Sequence, residues 1–454
     1  MTAVRSRRTR NTVLALVAAL AALVAVAAFG LIGARTLADS TAGQQANGQQ
    51  VEQATRRLPH TATALIGVID EDDHLTSAAV AVLEPTGVGG TLVVLAASAD
   101  ASSGNNTVLA PLDAVLQVSG PQAFREAAER LTGLSFDVIE VIDQQRFVQL
   151  VTPLGDLPVD MPIDLRDSSS SEEWPQGEIV LSSASAARAI TARDESIADW
   201  YLEPGRAAVW EAVADRVGAG IGSVTPVASD QDVPTITTLD EFLRRLFADP
   251  VQFSALNFVV IDDDRLDEQL PDELAAAFGR GTIPSVVAHN RSETLMTFGT
   301  VAPGRLGAPV DAPTFRVISG YTDADLDGLG INRSDVMKNA IDRLLFTKAN
   351  IVAVTDLPGS GAPEATQIRV ADPLILDDVM VVYGDLFGAS EVTVAKVATE
   401  GVDIEVVLGH SFIEQLRGEM ADALAGSDGD ASSDQDDNDD QHDEGSDDGD
   451  DSDG

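Results

Sequence analysis

The chain has 454 residues, 44% of them hydrophobic, with no cysteine and a formal net charge of -44. That length can bury more than one core and suggests two or three domains. The missing cysteines exclude disulfides, a thioether lipid anchor, thiolate metal sites and a cysteine nucleophile, and the acidity argues against nucleic acid as a partner.

Residues 1–10 carry Arg5, Arg7, Arg8 and Arg10, and residues 11–34 that follow are uncharged and rich in Ala, Val and Leu. As a helix that run would span about 36 Å, enough for a bilayer. The arginines should keep the N-terminus cytoplasmic and place the bulk of the chain outside a cell membrane. The run is longer than a cleaved signal's apolar core and ends without a sharp small-x-small site, so a single-pass signal-anchor is the expectation. A polar, Gln-rich linker occupies 35–60.

Three apolar runs follow: "ATALIGVI" (62–69), "SAAVAVLE" (77–84) and "TLVVLAA" (91–97), the last two joined by the turn-rich "PTGVGG". They read as neighbouring strands. In "GPQAFREAAERLTG" (120–133), Phe124, Ala127, Ala128 and Leu131 fall at helical spacing, with Pro121 in the first turn and Gly133 past the end. "FDVIEVI" alternates as a strand, "DQQRFVQLVTPLG" reads as a helix starting at Asp143, and "DLPVDMPIDL" is extended again. The alternation predicts an α/β sandwich over 61–232. Within it "SSSSEEWPQGE" (168–178) reads as a surface loop, and helices are expected over 183–193 and 205–217. An intermediate segment spans 233–312.

From 313 to 418 the pattern restarts. "TFRVISGY", "NIVAVTDL", "TQIRVADP", "VTVAKV" and "DIEVVLG" read as strands, with helices at "SDVMKNAIDRLLF" and "LILDDVMVVYGDLFG". This is a second, smaller α/β domain. Residues 427–454 hold 14 of the chain's 73 acidic residues and no large aliphatic side chain. Such a tail cannot form a core and is expected to be disordered.

The anchor, the linker and "LTGLSFDVIEVIDQQRFVQLVTPLGDLPVDMP" together resemble the LytR-CpsA-Psr family of cell-wall glycopolymer transferases. Residues 313–418 resemble the LytR-type C-terminal domain that often follows. The resemblance implies a sheet-and-helix sandwich that binds a polyprenyl-pyrophosphate-linked glycan and moves the glycan phosphate to peptidoglycan. Such chemistry rests on arginines around the diphosphate and on carboxylates for Mg²⁺ or for the acceptor.

This chain departs from the family at those positions. His74 and Thr76 stand where an Arg and an Asp are expected, Ala99 replaces an Arg, and Pro111 and Asp113 replace a Lys and an Asn. The surviving catalytic positions are Asp70, Asp100, Asp199 and Arg193, with Arg206 beside them. The set is more negative than positive and would repel a diphosphate without a metal. The resemblance therefore implies a degenerate, non-catalytic or weakly active member that binds polyprenyl-linked or cell-wall glycan in wall assembly. The alternative is an active phosphotransferase using Mg²⁺, its missing charge supplied by Arg125, Arg130, Arg188 or a partner. An adhesion or spacing protein is a third reading.

"DADLDG" (323–328) matches the front of a calcium loop, with Asp323, Asp325 and Asp327 as candidate metal ligands. Its twelfth position is Ser334, with Asp335 one residue late, and a solvated turn accounts for the motif as well. The five histidines show no zinc spacing. "GVGG" and "GSG" read as turns. Trp200, Tyr201 and Trp210 are either core packing or the lining of a lipid or sugar groove.

Overall fold

The computed structural model describes residues 54–427 apart from 103–107, 229–233, 262–265, 267–268, 276–284 and 308–311. The anchor expected at 11–34 and the acidic tail from 428 onward lie outside these residues. Among the described residues no helix is long and apolar enough to cross a membrane.

The end of the linker is a strand, β1 (Ala54–Arg56), which the sequence had not suggested. The first sheet begins with β2 (Thr63–Ile69), β3 (Leu75–Leu83) and β4 (Gly90–Leu95). Helix α1 (Leu112–Thr132) leads to β5 (Val138–Ile142), and Asp143 then caps α2 (Gln144–Val151) by accepting from the Arg146 amide at 2.7 Å. Helix α1 starts eight residues before the expected "GPQAF" segment and kinks at Gly120, where φ is 78°. Pro121 cannot donate into the preceding turn, so the bend falls at that Gly-Pro pair.

Strands β6 (Leu157–Met161), β7 (Leu165–Asp167), β8 (Glu172–Trp174) and β9 (Gly177–Leu181) form two small antiparallel pairs, β6 with β9 and β7 with β8. The expected loop at 168–178 is therefore largely a hairpin. Asp167 gathers the hydroxyls of Ser169 and Ser170 into a tight turn, and Trp174 is buried against the core. Helices α3 (Ser183–Ile190), α4 (Glu203–Val217) and α5 (Leu239–Leu246) follow.

Strand β10 (Val251–Ala255) lies parallel to β4 and completes the sheet order β10-β4-β3-β2-β5. The segment 233–312 is thus no mere connector, because it supplies an edge strand of the first sheet. Alternate residues of the central strands face opposite ways. Ala64, Ile66, Ala81 and Leu92 pack with α2, α3, α4 and α5, while Leu65, Val80, Val82 and Val93 pack with α1. Cover on both faces explains why these strands read as continuous apolar runs.

Strands β11 (Phe258–Val260) and β12 (Val287–His289) form a short antiparallel pair, and α6 (Arg291–Val301) packs Phe298 into the first core. The second sheet, β14-β13-β18-β15-β16, comprises β13 (Thr314–Ser319), β14 (Asn350–Asp356), β15 (Thr366–Val370), β16 (Ser390–Val394) and β18 (Ile404–Val407). Strand β17 (Val397–Thr399) pairs parallel with β1. Helices α7 (Arg333–Phe346), α8 (Leu376–Tyr383) and α9 (His410–Ser427) share this sheet's core. The long α9 closes the domain beyond the boundary expected at 418.

Candidate functional site

The site lies where β2 and β4, which run in the same direction, end. Asp70 follows β2, and its Oδ1 accepts from the amides of Asp72 and His74, each at 2.9 Å, closing the turn into β3. The His74 imidazole Nδ1 stands 3.6 Å from Oδ1, an electrostatic contact rather than a hydrogen bond. Arg193 Nη1 donates to Asp70 Oδ2 at 3.2 Å. Burial alone would push the Asp70 carboxyl up. His74 and the Arg193 charge more than reverse that and hold it below its ordinary value.

The loop after β4 brings in the next layer. Glu203, in the first turn of α4, accepts from the Ala97 amide at 2.9 Å, and Asp113, in the first turn of α1, donates its own amide to the Ala97 carbonyl. Arg206, one turn further along α4, is completely buried. Its Nη1 and Nη2 each reach an Asp199 carboxylate oxygen at 2.7 Å, and Nη2 also donates to the Ala192 carbonyl at 2.8 Å. This bidentate, charge-assisted pair engages both Nη atoms, while Nε is buried without a hydrogen-bond partner. Burial works against the Arg206 charge, and Asp199 more than restores it, so its pKa is raised.

Glu203 stands 3.6 Å from Arg206, whose charge favours the ionised carboxylate, but burial outweighs that attraction. Its Oε2 is buried without a hydrogen-bond partner. Burial, with Asp199 and Asp113 nearby, pushes the Glu203 carboxyl up. Burial likewise pushes Asp113 to about 8, the Asp199 charge adding to the effect. Burial thus favours the protonated form of both, while Arg193 and Arg206 are each paired with a carboxylate, Asp70 and Asp199.

Of the residues singled out in the sequence, Asp70, Asp199, Arg193 and Arg206 come together here. Asp100 sits one β-bridge from Pro111, but its carboxylate accepts from the Ser102 amide and hydroxyl and the Ala110 amide, so it organises its own loop. Arg125 and Arg188 are engaged with Glu129 and Glu172, and Arg130 Nε donates to the Ala101 carbonyl at 3.4 Å. Trp210 is core, edge-on to Phe147 and bonded to Ser77. Tyr201 is half exposed and packs edge-on to Trp200.

Sequence reasoning missed Glu203 as a site residue. An acid in a first helical turn is commonplace, and only its burial three residues before Arg206 marks it.

The calcium loop does not form. Asp323–Leu326 is a 3-10 turn in which Asp325 turns back onto the amide and hydroxyl of Thr322, while Asp323 pairs with Arg333 at 3.1 Å. With Ser334 at the twelfth position, the carboxylates serve the turn instead of converging on one point. Among the described residues no group of three His, Asp or Glu side chains is arranged to hold a metal. For Mg²⁺, Asp70 and Asp199 are each already paired with an arginine, which leaves the cluster few uncommitted oxygen donors for a hard cation.

A cavity of about 500 Å³ opens beside Asp70, lined by Glu71, Asp73, Asp143, Gln144 and Arg188 among others. A larger cleft of about 780 Å³, near Arg57, His60, Pro303 and Arg305, is remote from this cluster.

No family model and no curated protein matches the chain. Solved structures similar to part of it include B. subtilis TagV, at 12% identity over 52% of this chain and 94% of that one, with a TM-score of 0.36. TagU of B. subtilis is 13% identical over 52% and 92% of the two chains, with a TM-score of 0.31. A third, "TagT bound to LIIa-WTA", is 12% identical over 54% and 92%, with a TM-score of 0.35. At such identities and scores the likeness assigns neither an activity nor a ligand to this chain.

Proposed function

We propose that this chain is a membrane-anchored, extracytoplasmic protein of cell-wall assembly that binds polyprenyl-linked or cell-wall glycan without transferring it. The observation that carries the reading is the internal neutralisation of the site. Arg206 is sealed against Asp199 and Arg193 is held by Asp70, so the two cations available for a diphosphate are already matched by carboxylates.

Removing one oriented donor from such a site costs about 10²- to 10³-fold in rate. Here the positions of His74, Ala99 and Pro111 lack the family's cations together. The cavity beside Asp70, where Val148, Ala184 and Ala187 stand among polar side chains, is the place such a ligand would occupy. The active-transferase alternative is disfavoured by the engagement of Arg125 and Arg188 with their own carboxylates.

The test assays the protein with a lipid-linked glycan, with and without Mg²⁺, beside Asp70→Asn, and looks for co-purified polyprenyl lipid by mass spectrometry. Lipid without turnover is expected. Turnover in the parent that is lost in Asp70→Asn would replace this reading with the active transferase, and neither lipid nor turnover would favour the spacing protein. In intact cells a tag after Gly454 should be open to external protease and one before Thr2 should not.

A further inference from the structure

The loop at 96–100, which leaves β4 for the candidate site, is tied to three elements. Helix α1 donates the Leu112 amide to the Ala99 carbonyl at 3.1 Å and the Asp113 amide to the Ala97 carbonyl at 2.9 Å. Glu203 of α4 accepts from the Ala97 amide at 2.9 Å. The third element is β12, where Val287 accepts from the Asp100 amide at 2.8 Å and donates to the Ser98 carbonyl at 3.1 Å. Further along β12, His289 meets Ala96.

Two bonds fix the protonation state of His289. The Ala96 amide donates to Nε2 at 3.3 Å, so Nε2 must present a lone pair. Nδ1 lies 2.9 Å from the Asn257 carbonyl oxygen, which can only accept, so Nδ1 must carry the hydrogen. One species satisfies both, the neutral ring protonated on Nδ1. A second proton could go only to Nε2, where it would face the Ala96 N–H and turn a bond into a repulsion. The ring is half-buried and stands edge-on to Phe258, with 6.4 Å between centroids. Phe258, Asn257 and Ala96 bring it no charge. The charged side chain acting on it is Glu293, in the first turn of α6, whose Oε1 accepts from the Asn257 amide at 3.2 Å and its side-chain nitrogen at 2.8 Å. Burial pushes the His289 pKa below its ordinary value, and the Asn257 carbonyl and Glu293 oppose this without reversing it.

We propose that His289 is a pH-sensitive latch on this loop: the neutral ring ties Ala96 to β12, and protonation on mild acidification releases Ala96 and loosens the loop that Glu203 and Asp113 grip. His289 is a positioning residue, acting on the site through Ala96. The other ties do not respond in this way. Those to Val287, Leu112 and Asp113 join backbone to backbone, and the Glu203 carboxyl oxygen accepts in either protonation state. Because the folded-state value is depressed, the latch is fully closed above the ordinary histidine value of about 6.5. It weakens as pH falls from there through the folded value, by at most about tenfold per pH unit.

The experiment follows hydrogen exchange of the full-length chain in peptides covering 94–101, between about pH 8 and about pH 5, corrected for the intrinsic pH dependence of amide exchange. Nitrogen NMR of the histidine-labelled chain reads the tautomer, with the His289 signals assigned by their loss in His289→Gln. Circular dichroism checks that this variant folds. A neutral ring protonated on Nδ1 is expected at about pH 7, and exchange at Ala96 should accelerate at least about fivefold towards the acid end. His289→Gln, which takes up no proton, should lose that acceleration, while the turn at Asp70 behaves alike in both proteins. A parent whose exchange at Ala96 does not respond to acid would overturn the proposal. So would a ring protonated on Nε2 alone, or the same acceleration in the variant.

Discussion

Asp113 and Glu203 show how burial changes what a carboxyl does. Each is held protonated by its surroundings well above the ordinary range, Asp113 to about 8. Their folded-state values lie above their unfolded ones, so the folded chain retains protons that the unfolded chain releases near pH 4. Their contribution is complete below about pH 4 and declines as pH rises to about 8, after which it levels off. Asp70 acts in the opposite sense, since its lowered value adds stability that is lost on acidification. Urea midpoints should therefore fall from mildly acidic to alkaline pH, and Asp113→Asn or Glu203→Gln should flatten that slope. An unchanged slope in both variants would mean that neither carboxyl holds its proton in the folded state.

The elements around the site depend on backbone positions as much as on side chains. Gly90 opens β4 at φ 147°, and a Cβ there would stand 1.9 Å from the Val82 carbonyl oxygen. Gly90→Ala should cost about 1–3 kcal/mol from backbone strain alone, with the clash added, because β3 and β4 are paired at that point. Asp143→Ala offers the contrast, a lost N-cap worth about 1 kcal/mol. Denaturant titration should rank Gly90→Ala as clearly the more damaging. The turn "PTGVGG" was legible because glycines at such spacing mark a chain reversal. The hairpin of β7 and β8 was not, because a serine run reads as loop until the Asp167 carboxylate organises it.

At the scale of the whole molecule, α6 joins the two sheets. Phe298 packs into the first core, and its neighbour Gly299 lies so close to β14 that a Cβ would meet Val354 at 2.8 Å. Arg305 adds a polar tie on the first-sheet side, reaching Asp137 at 2.7 Å and Thr63 at 3.1 Å. Gly299→Leu should therefore push α6 away from β14 while leaving each sheet's own pairing intact. The expected readout is a thermal transition that broadens or splits in calorimetry as the sheets lose their coupling. A single sharp transition at an unchanged Tm would show that the close approach is not what couples them.

The sequence alone indicated most strands of both sheets and the helices over 112–132, 144–151, 183–190, 203–217, 333–346 and 376–383 at least in part, because apolar periodicity, caps such as Asp143 and punctuating glycines are local signals. A family-like pattern also grouped Asp70, Asp100, Asp199 and Arg193, with Arg206, and of these all but Asp100 lie together in the structure. Tertiary structure decided what those residues are free to do. Whether an arginine faces a ligand or a neighbouring carboxylate depends on groups far apart in the chain, as with Arg193 and Asp70, 123 residues apart. The same holds for β10, whose five residues carry too weak a pattern to announce a strand and gain their place only from pairing with β4. Charge pairing and strand pairing are both long-range contacts, and no local propensity encodes them.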